Sequence, residues 1–217
     1  MDKELIKRLY SSILLIPLAL FFVIKGNHLF IFFILVCFFI TLYEWQKMSK
    51  NKSYYYPGLL FLAISFYSAY QVRIVTSYDY EYFMIIILIC ISTDIGGYIF
   101  GKTFKGPKLT KISPKKTYSG VIGGYLLSVI FLNLYFSSKF FSNPQDINLK
   151  VLIFILLIST ISQLGDIVIS YFKRLSKIKD TGKIIPGHGG LLDRIDGMIF
   201  AFPFAYIVFQ INIFQYF

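Results

Sequence analysis

Seven apolar stretches alternate with short polar connections along the chain. They lie at about 9 to 24, 28 to 45, 57 to 75, 82 to 101, 119 to 138, 150 to 171 and 191 to 215. A helix needs about 20 mostly apolar residues to cross the hydrocarbon core of a bilayer, and each stretch is close to that length. The pattern predicts an all-α fold: a polytopic integral membrane bundle of about seven transmembrane helices, in one domain spanning 1–217.

The composition agrees with this prediction. Of the 217 residues, 56% are hydrophobic and only 15% are charged, and the mean hydropathy is +0.66. A soluble domain carries roughly 25% charged residues. The two cysteines, Cys37 and Cys90, both lie inside apolar stretches, where a free thiol behaves as a small hydrophobe. Neither a disulfide nor a Cys/His metal site is therefore expected.

The positions of the basic residues decide what the formal net charge of +11 means. Such a charge is compatible with a nucleic-acid partner, but 18 of the 22 Lys and Arg residues fall in four segments, 1–8, 47–52, 102–116 and 173–194. These segments are alternate connections between the predicted helices, which is the distribution that the positive-inside rule describes. We therefore expect no nucleic-acid partner, a cytoplasmic amino terminus and a carboxyl terminus on the far side of the membrane.

Four carboxylates within apolar stretches or at their edges stand out as candidates. Asp94 and Asp166 lie inside or at the edge of such stretches, and Asp193 and Asp196 begin the last one. Ionisable residues at membrane depth are costly and usually face a bundle interior or a wet cavity. These four side chains are therefore the first candidates for chemistry.

A polar stripe runs along the predicted sixth helix. Ser159, then Ser162 or Gln163, then Asp166, Ser170 and Lys173 follow one another at steps of three or four residues, so they share one face. The stripe leads to the Lys173-Arg174 pair and predicts a path for an anionic ligand. The alternative interpretation is that Asp166 pairs with an interior Lys or Arg and only fixes helix packing, as polar residues between membrane helices often do.

Asp193 and Asp196 are three residues apart, so they are predicted on one helix face. They either cap the helix and offset its dipole, or they bind a divalent cation, since Mg²⁺ takes hard oxygen ligands and commonly joins carboxylates to phosphates. The glycine-rich turn at 187–190 directly before them can expose backbone N–H groups to an anion. His188 in that turn would either hydrogen-bond a phosphate or hold the turn.

Residues 96–103 match the P-loop pattern of a glycine, four residues and Gly-Lys-Thr. A P-loop joins a buried strand to a helix in a soluble sheet, whereas here a membrane-length apolar stretch precedes the match and Pro107 prevents a following helix. We therefore reject a P-loop. The lysine-rich segment 102–116 would suit a triphosphate, but a cytoplasmic loop beside anionic lipid is lysine-rich anyway.

Two segments, 92–124 and 160–200, together resemble the phosphatidate cytidylyltransferase (CDP-diacylglycerol synthase) family. The first carries Asp94-Ile-Gly-Gly-Tyr-Ile-Phe-Gly-Lys, Lys108-Leu and Ile112-Ser-Pro-Lys-Lys-Thr-Tyr-Ser-Gly; the second carries Ser170-Tyr-Phe-Lys-Arg, Lys179-Asp180, Pro186-Gly-His-Gly-Gly and Asp193-Arg-Ile-Asp. Every fixed position of the family's carboxyl-terminal pattern is filled. In the first block the family commonly has Trp-Glu where this chain has Tyr118 and Ser119.

The resemblance implies transfer of the cytidylyl group of CTP to phosphatidate, giving CDP-diacylglycerol and pyrophosphate for phospholipid biosynthesis. It implies Asp166, Lys116 and Asp196 as catalytic residues, and Asp166, Asp193 and Asp196 as ligands of Mg²⁺, alone or with a second metal ion. The implied contacts of the two substrates are Asp94, Ser113, Lys115, Lys116, Thr117, Ser170, Lys173, Arg174, Lys179, Asp180, His188, Gly189, Gly190 and Arg194.

Two rival functions stay open at this point. A secondary transporter would use Asp94 and Asp166 in an ion relay, but it predicts acidic residues matched across two repeated halves, which the sequence does not show. A polyprenol or phytol kinase, or another lipid nucleotide transferase, would need similar loops. For the cytidylyltransferase we expect the bacterial cytoplasmic membrane, with the amino terminus and the active-site loops in the cytoplasm, lipid neighbours, and a monomer or a homodimer.

Overall fold

The computed structural model describes residues 3–75, 80–110, 112–137, 148–187 and 189–211, and this part of the chain is helical with short connections. Its helices are α1 (Lys3–Lys25), α2 (Asn27–Ser49), α3 (Tyr55–Val75), α4 (Glu81–Phe104), α5 (Tyr118–Ser137), α6 (Leu149–Leu175), the one-turn α7 (Leu192–Ile195) and α8 (Met198–Gln210). The all-α prediction is confirmed.

Each predicted apolar stretch coincides with a helix, but not every helix has the length and hydropathy of a membrane span. Within the described ranges, α2, α4, α5 and α6 are long and apolar enough to cross a bilayer, while the apolar part of α1 (Ile13–Lys25) and α8 are shorter. The chain is thus a helical membrane protein, and the count of seven spans stays a prediction. The last stretch is divided between α7 and α8, although Asp196 and Gly197 between them keep helical backbone angles.

Successive long helices run in opposite directions, so their connections alternate between two ends of the bundle. At one end, Arg73 of α3 donates a hydrogen bond from Nε to the carbonyl of Val23 in α1, at 3.1 Å. At the other end, which we call the site end, the hydroxyls of Tyr54 and Ser176 are 2.8 Å apart. The site end therefore gathers the α2–α3 connection, the α4–α5 loop (105–117) and the α6–α7 loop (176–191).

Two apolar clusters hold the bundle together. The larger is centred on α4, α5, α6 and α8 and includes the fully buried Ile86, Leu132 and Ile155. The smaller lies under the site end and includes Trp45 of α2 and Leu192 of α7. The second cluster therefore fixes α7 against the amino-terminal helices.

Glycines allow α4 and α5 to pack at very short range, the most extensive contact in the bundle. A Cβ added to Gly96 would meet the backbone of α5, at 2.7 Å from the carbonyl carbon of Gly123 and 2.9 Å from Cα of Gly124. Small residues at such interfaces let helix backbones approach closely. Part of the glycine-rich Asp94-Ile-Gly-Gly block therefore serves helix packing.

We expect Gly96→Ala to destabilise the protein, because the new methyl group meets backbone atoms that have no rotamer by which to move away. Overpacking of this kind costs about 1–3 kcal/mol. The measurement is thermal unfolding in detergent, with Gly97→Ala as the matched control. A Cβ at Gly97 would be 3.7 Å from the nearest atom, the carbonyl oxygen of Gly120. Equal losses of stability in both variants would contradict this packing.

The rejection of a P-loop is confirmed. Residues 96–103 all lie inside α4, which continues to Phe104, and no strand precedes them in the described part of the chain. Lys102 is exposed, with Nζ 5.5 Å from the ring centroid of Tyr98 on the same helix. The glycine-rich match thus has no phosphate-cradling loop.

Candidate active site

The two segments that carry the resemblance meet at the site end. Lys116 of the α4–α5 loop forms an ion pair with Asp166 of α6 and donates a hydrogen bond to the carbonyl of Gln163, at 3.3 Å. The Lys116 and Asp166 side chains are 23% and 28% exposed, so the pair borders an accessible region. Residues 50 positions apart in the sequence are therefore brought together at one place.

The α4–α5 loop folds so that Lys116 points back to α6. The N–H of Lys116 donates to the carbonyl of Ser113 at 3.0 Å, and the N–H of Leu109 donates to the carbonyl of Lys116 at 2.8 Å. The Thr117 hydroxyl then accepts from the N–H of Gly120 at 3.1 Å, as an N-cap does. Ser113 and Thr117 thus shape the loop in this structure, and their predicted substrate contacts stay predictions.

A buried lysine links α6 to α7. The Nζ of Lys173 is 2.9 Å from Oδ1 of Asp193 and 4.0 Å from Oδ2 of Asp196, and all three side chains are at most 11% exposed. Both carboxylates therefore face the same cation, as their three-residue spacing predicts.

Asp193 also closes the α6–α7 loop. Its Oδ2 accepts from the N–H of Thr181 at 2.8 Å, the hydroxyl of Thr181 at 3.1 Å and the N–H of Gly190 at 3.0 Å. Asp193 lies on α7, outside the membrane-spanning helices. Burial alone would raise the pKa of Asp193, but the Lys173 ammonium and the two N–H donors outweigh burial and lower this pKa below its usual value. Asp193 is thus held as an anion.

Asp196 also lies near Asp166 and Asp94. The charges of Asp166 and Asp94 both act on the carboxyl group of Asp196, and those of Asp94 and Asp166 act on each other. Asp196 is 8% exposed and accepts from the N–H of Gly197 at 3.0 Å, whereas Asp94 is exposed. Its neighbouring charges include Lys116 and Arg194. Asp94 therefore borders an open face of the cluster.

Of the remaining residues of the predicted site, some hold the carboxylates or the loop in place and others are exposed. The Ser170 hydroxyl donates to Oδ1 of Asp166 at 3.3 Å, and Gly189, with φ +91°, accepts from the N–H of Ile185 at 2.9 Å. Arg174 is exposed and donates to the carbonyl of Ile178 at 3.2 Å. Exposed side chains of the site end also include Lys115, Lys179, Asp180 and Arg194. His188 lies outside the described residues.

The N–H groups at the end of the glycine turn and at the start of α7 are directed to carboxylates of the protein. The N–H of Gly190 donates to Asp193, and those of Leu191 and Leu192 donate to Glu44 of α2, at 3.0 and 2.8 Å. The anions that satisfy these donors are the protein's own carboxylates. The substrate contact predicted for Gly190 therefore has no available backbone donor in this arrangement.

Sequence reasoning missed Glu44, which is 1% exposed. Its signal was weak but present. Glu44 is a carboxylate inside the second apolar stretch, 28 to 45, directly before Trp45. A carboxylate so placed is costly unless it has partners inside the protein.

The polar stripe on α6 is only partly open. Ser159 and Ser162 are 0% and 1% exposed, and Ser159 accepts a hydrogen bond from Thr93 of α4 at 2.8 Å. A Cβ added to Gly197 would meet Ser162, so the helices pack directly there. The predicted path for an anion is therefore wrong for this half of the stripe, and the accessible part begins near Asp166.

The sequence profile of the cytidylyltransferase family matches this chain over residues 6–80 and 71–212. The chain belongs to this family. The match includes the amino-terminal helices, which carry Glu44, as well as both segments that meet at the site. The family resemblance inferred from those segments alone is confirmed.

Individual relatives agree with the family. Phosphatidate cytidylyltransferase of Rickettsia felis is 35% identical over 214 residues, which cover 93% of this chain and 90% of the relative. The Rickettsia conorii protein of the same name is 38% identical over 205 residues, covering 88% and 85%. The Staphylococcus aureus protein of that name is 37% identical over 177 residues, covering 76% and 64%. The similarity thus extends over nearly the whole chain.

Proposed function

We propose that this membrane enzyme transfers the cytidylyl group of CTP to phosphatidate, forming CDP-diacylglycerol and pyrophosphate. The observation that carries the proposal is the ion pair between Lys116 and Asp166, because it joins the two segments of the family at one site beside a membrane-length helix. Relatives named phosphatidate cytidylyltransferase at 35% and 38% identity support the same reaction.

In this reaction a phosphate oxygen of the lipid attacks the α-phosphorus of CTP. The bond from that phosphorus to the bridging oxygen breaks, and pyrophosphate leaves with the electron pair. No general base is needed, since a phosphomonoester has a second pKa of about 6 and is ionised at neutral pH. Both reactants are anions, so the protein lowers the barrier chiefly by placing positive charge at the reacting centre.

Cations at the site end are the proposed phosphate contacts. Lys116 lies on the carboxylate cluster, and Lys115, Arg174 and Arg194 are exposed around it. Lys173 is buried against Asp193 and Asp196. We assign Lys173 to holding the two carboxylates in place and the exposed cations to the triphosphate and the lipid phosphate.

The carboxylates fit Mg²⁺ by their chemistry. Asp166 and Asp196 offer hard oxygens close together, and the negative side chains of the cluster outnumber Lys116 and Lys173. No group of three or more His, Cys, Asp and Glu side chains is arranged as a metal site among the residues that the structure describes. When bound, Mg²⁺ would neutralise charge on the triphosphate. We propose Asp166 and Asp196 as its ligands; Asp193, whose oxygens already accept hydrogen bonds from Lys173, Thr181 and Gly190, fits better as their support.

The experiment uses purified protein in detergent with phosphatidate, Mg²⁺ and CTP labelled at either the α- or the γ-phosphate. Cytidylyl transfer puts the α label into the lipid product and the γ label into pyrophosphate. A kinase would instead put the γ label into lipid. Absence of α-labelled lipid under varied detergent and metal conditions would overturn the proposal.

We further propose that the protein lies in the bacterial cytoplasmic membrane with its site end in the cytoplasm, since the basic segments gather at that end. In a variant with Cys37 and Cys90 replaced by alanine, a cysteine at exposed Lys105 or Lys183 should react with an impermeant maleimide only from the cytoplasmic side. A cysteine at exposed Lys25, the last residue of α1, should react only from outside. Labelling of positions 105 and 183 from opposite sides would contradict a shared site.

A further inference from the structure

A buried carboxylate from the amino-terminal helices holds the α6–α7 loop. Glu44 of α2 accepts from the N–H of Leu191 at 3.0 Å through Oε1 and from the N–H of Leu192 at 2.8 Å through Oε2, and the Thr181 hydroxyl lies 3.1 Å from Oε2. Hydrogen bonds to an ionised acceptor are stronger than neutral ones. Two such bonds thus fix the start of α7 to Glu44, and the Thr181 hydroxyl, whose single proton goes to one carboxylate at a time, lies between Glu44 and Asp193 on the other side of the loop.

The loop is shaped around this carboxylate. A Cβ added to Gly182 would lie 2.5 Å from Oε1 of Glu44, and one added to Gly190 would lie 2.6 Å from Oε2. Real Cβ atoms do not approach oxygen this closely, so only glycine leaves room at these two positions. The glycines thus allow the loop to close on Glu44.

Glu44 is itself held in place by the next residue. Trp45 donates from Nε1 to the carbonyl of Tyr55 at 3.1 Å, and its ring packs against Phe172 of α6 with 5.5 Å between centroids. The end of α2 is therefore fixed to the end of α6, which carries Lys173 one residue later. Glu44, the residue before Trp45, therefore binds the loop from a fixed position.

A chain of contacts leads from Glu44 to the site. The Thr181 hydroxyl lies 3.1 Å from Oε2 of Glu44 and 3.1 Å from Oδ2 of Asp193. Asp193 in turn holds Lys173, which faces Asp196. We infer that Glu44 is a positioning residue for the proposed reaction: it fixes the α6–α7 loop so that Asp196 and the cations around it keep the geometry that transfer requires.

The catalytic part of this inference rests on the proposed function, so the test combines two measurements. Hydrogen–deuterium exchange of peptides covering 181–195 reports directly on the N–H groups that Glu44 holds. Steady-state kinetics with CTP and phosphatidate report the consequence. Glu44→Gln preserves the size of the side chain but removes one of its two acceptor oxygens, and Thr181→Val removes only the hydroxyl link.

The matched control is Thr41→Val, three residues earlier on α2. Thr41 is also fully buried, but its hydroxyl donates only within its own helix, to the carbonyls of Cys37 and Phe38 at 3.0 and 2.9 Å. This variant should leave exchange in 181–195 unchanged and turnover within about twofold of the unmodified enzyme, because valine has nearly the size of threonine and the lost hydroxyl bonds only to its own helix.

We expect Glu44→Gln to speed exchange in 181–195 about tenfold or more, the loss of a charge-assisted hydrogen bond, and to lower kcat by a similar factor while KM for phosphatidate stays within about twofold. Thr181→Val should change exchange and kcat in the same direction. The fold-loss of kcat in the double variant should be smaller than the product of the two single losses. Glu44→Asp, which keeps both oxygens on a shorter arm, should restore part of the protection and turnover.

Unchanged exchange in both Glu44→Gln and Thr181→Val would overturn the contact itself. Faster exchange with normal kcat in a folded variant would overturn the positioning role. Should Glu44→Gln fail to fold, Glu44→Asp and Thr181→Val carry the same two measurements. Exchange needs no substrate, so an enzyme with no CTP-dependent activity would refute the proposed function and leave the loop contact to be judged by its own result.

Discussion

Asp166→Asn is expected to abolish cytidylyl transfer, lowering kcat by about 100-fold or more, as the loss of one preorganised electrostatic group at a reacting centre does. Asparagine keeps the shape of the side chain and can still accept from Ser170. It lacks the charge that pairs with Lys116 and that would bind Mg²⁺ together with Asp196. The measurement is turnover of labelled CTP over a range of Mg²⁺ concentrations.

The alternative role of Asp166, as a partner that only fixes helix packing, is tested by a second variant. If the ion pair with Lys116 is only structural, then Asp166→Asn combined with Lys116→Gln removes both charges and should recover stability and turnover. In our proposal the double variant stays inactive although it folds. Thr160→Val is the control on the same helix, because its hydroxyl faces Tyr125 of α5 at 2.9 Å; near-normal turnover is expected there.

The helices were predictable because a bilayer forces apolar residues into runs of a fixed length. The predicted fourth stretch, 82 to 101, compares with Glu81–Phe104, and the predicted fifth, 119 to 138, with Tyr118–Ser137. The division of the last stretch was not predictable in the same way. At this division Gly197 packs against Ser162 of another helix, and a contact between helices is not visible in the local sequence pattern.

The site was predictable to the extent that its residues follow family spacing. Lys116 and Asp166 were both inferred from motifs, yet neither motif states that the two side chains touch. Two features of the site arise from contacts between residues that are far apart in the sequence. The burial of Ser159 and Ser162 against other helices closes part of the polar stripe, and Glu44 lies outside both motif segments.

The glycine turn shows why a pattern can indicate the right chemistry for the wrong partner. A glycine-rich turn before a helix offers N–H donors to an anion. In this protein two carboxylates, Glu44 and Asp193, accept from those donors. The turn indicated that an anion binds there. The anions are Glu44, 147 positions before Leu191, and Asp193, three positions after Gly190.

Lys116→Ala is expected to lower turnover or raise the CTP requirement by on the order of tenfold or more, the loss of one charge-assisted contact of about 1.5 to 3 kcal/mol. Lys116 is the cation that lies directly on the carboxylate cluster, in contact with Asp166 and the carbonyl of Gln163. Its removal takes positive charge from the point where the triphosphate and the carboxylates must approach. The measurement is kcat and KM for CTP at fixed phosphatidate.

Lys102→Ala is the matched control, because it removes the same charge from a lysine 14 positions earlier that is exposed on α4 and lies over the ring of Tyr98. If the glycine-rich match at 96–103 were a P-loop, Lys102 would be its phosphate-binding lysine and its loss would abolish nucleotide use. Since that segment is helical throughout, we expect a change of about twofold or less, the size of an exposed single-charge effect. Full loss at Lys102 with normal turnover at Lys116 would move the nucleotide away from the Asp166 cluster and favour a kinase.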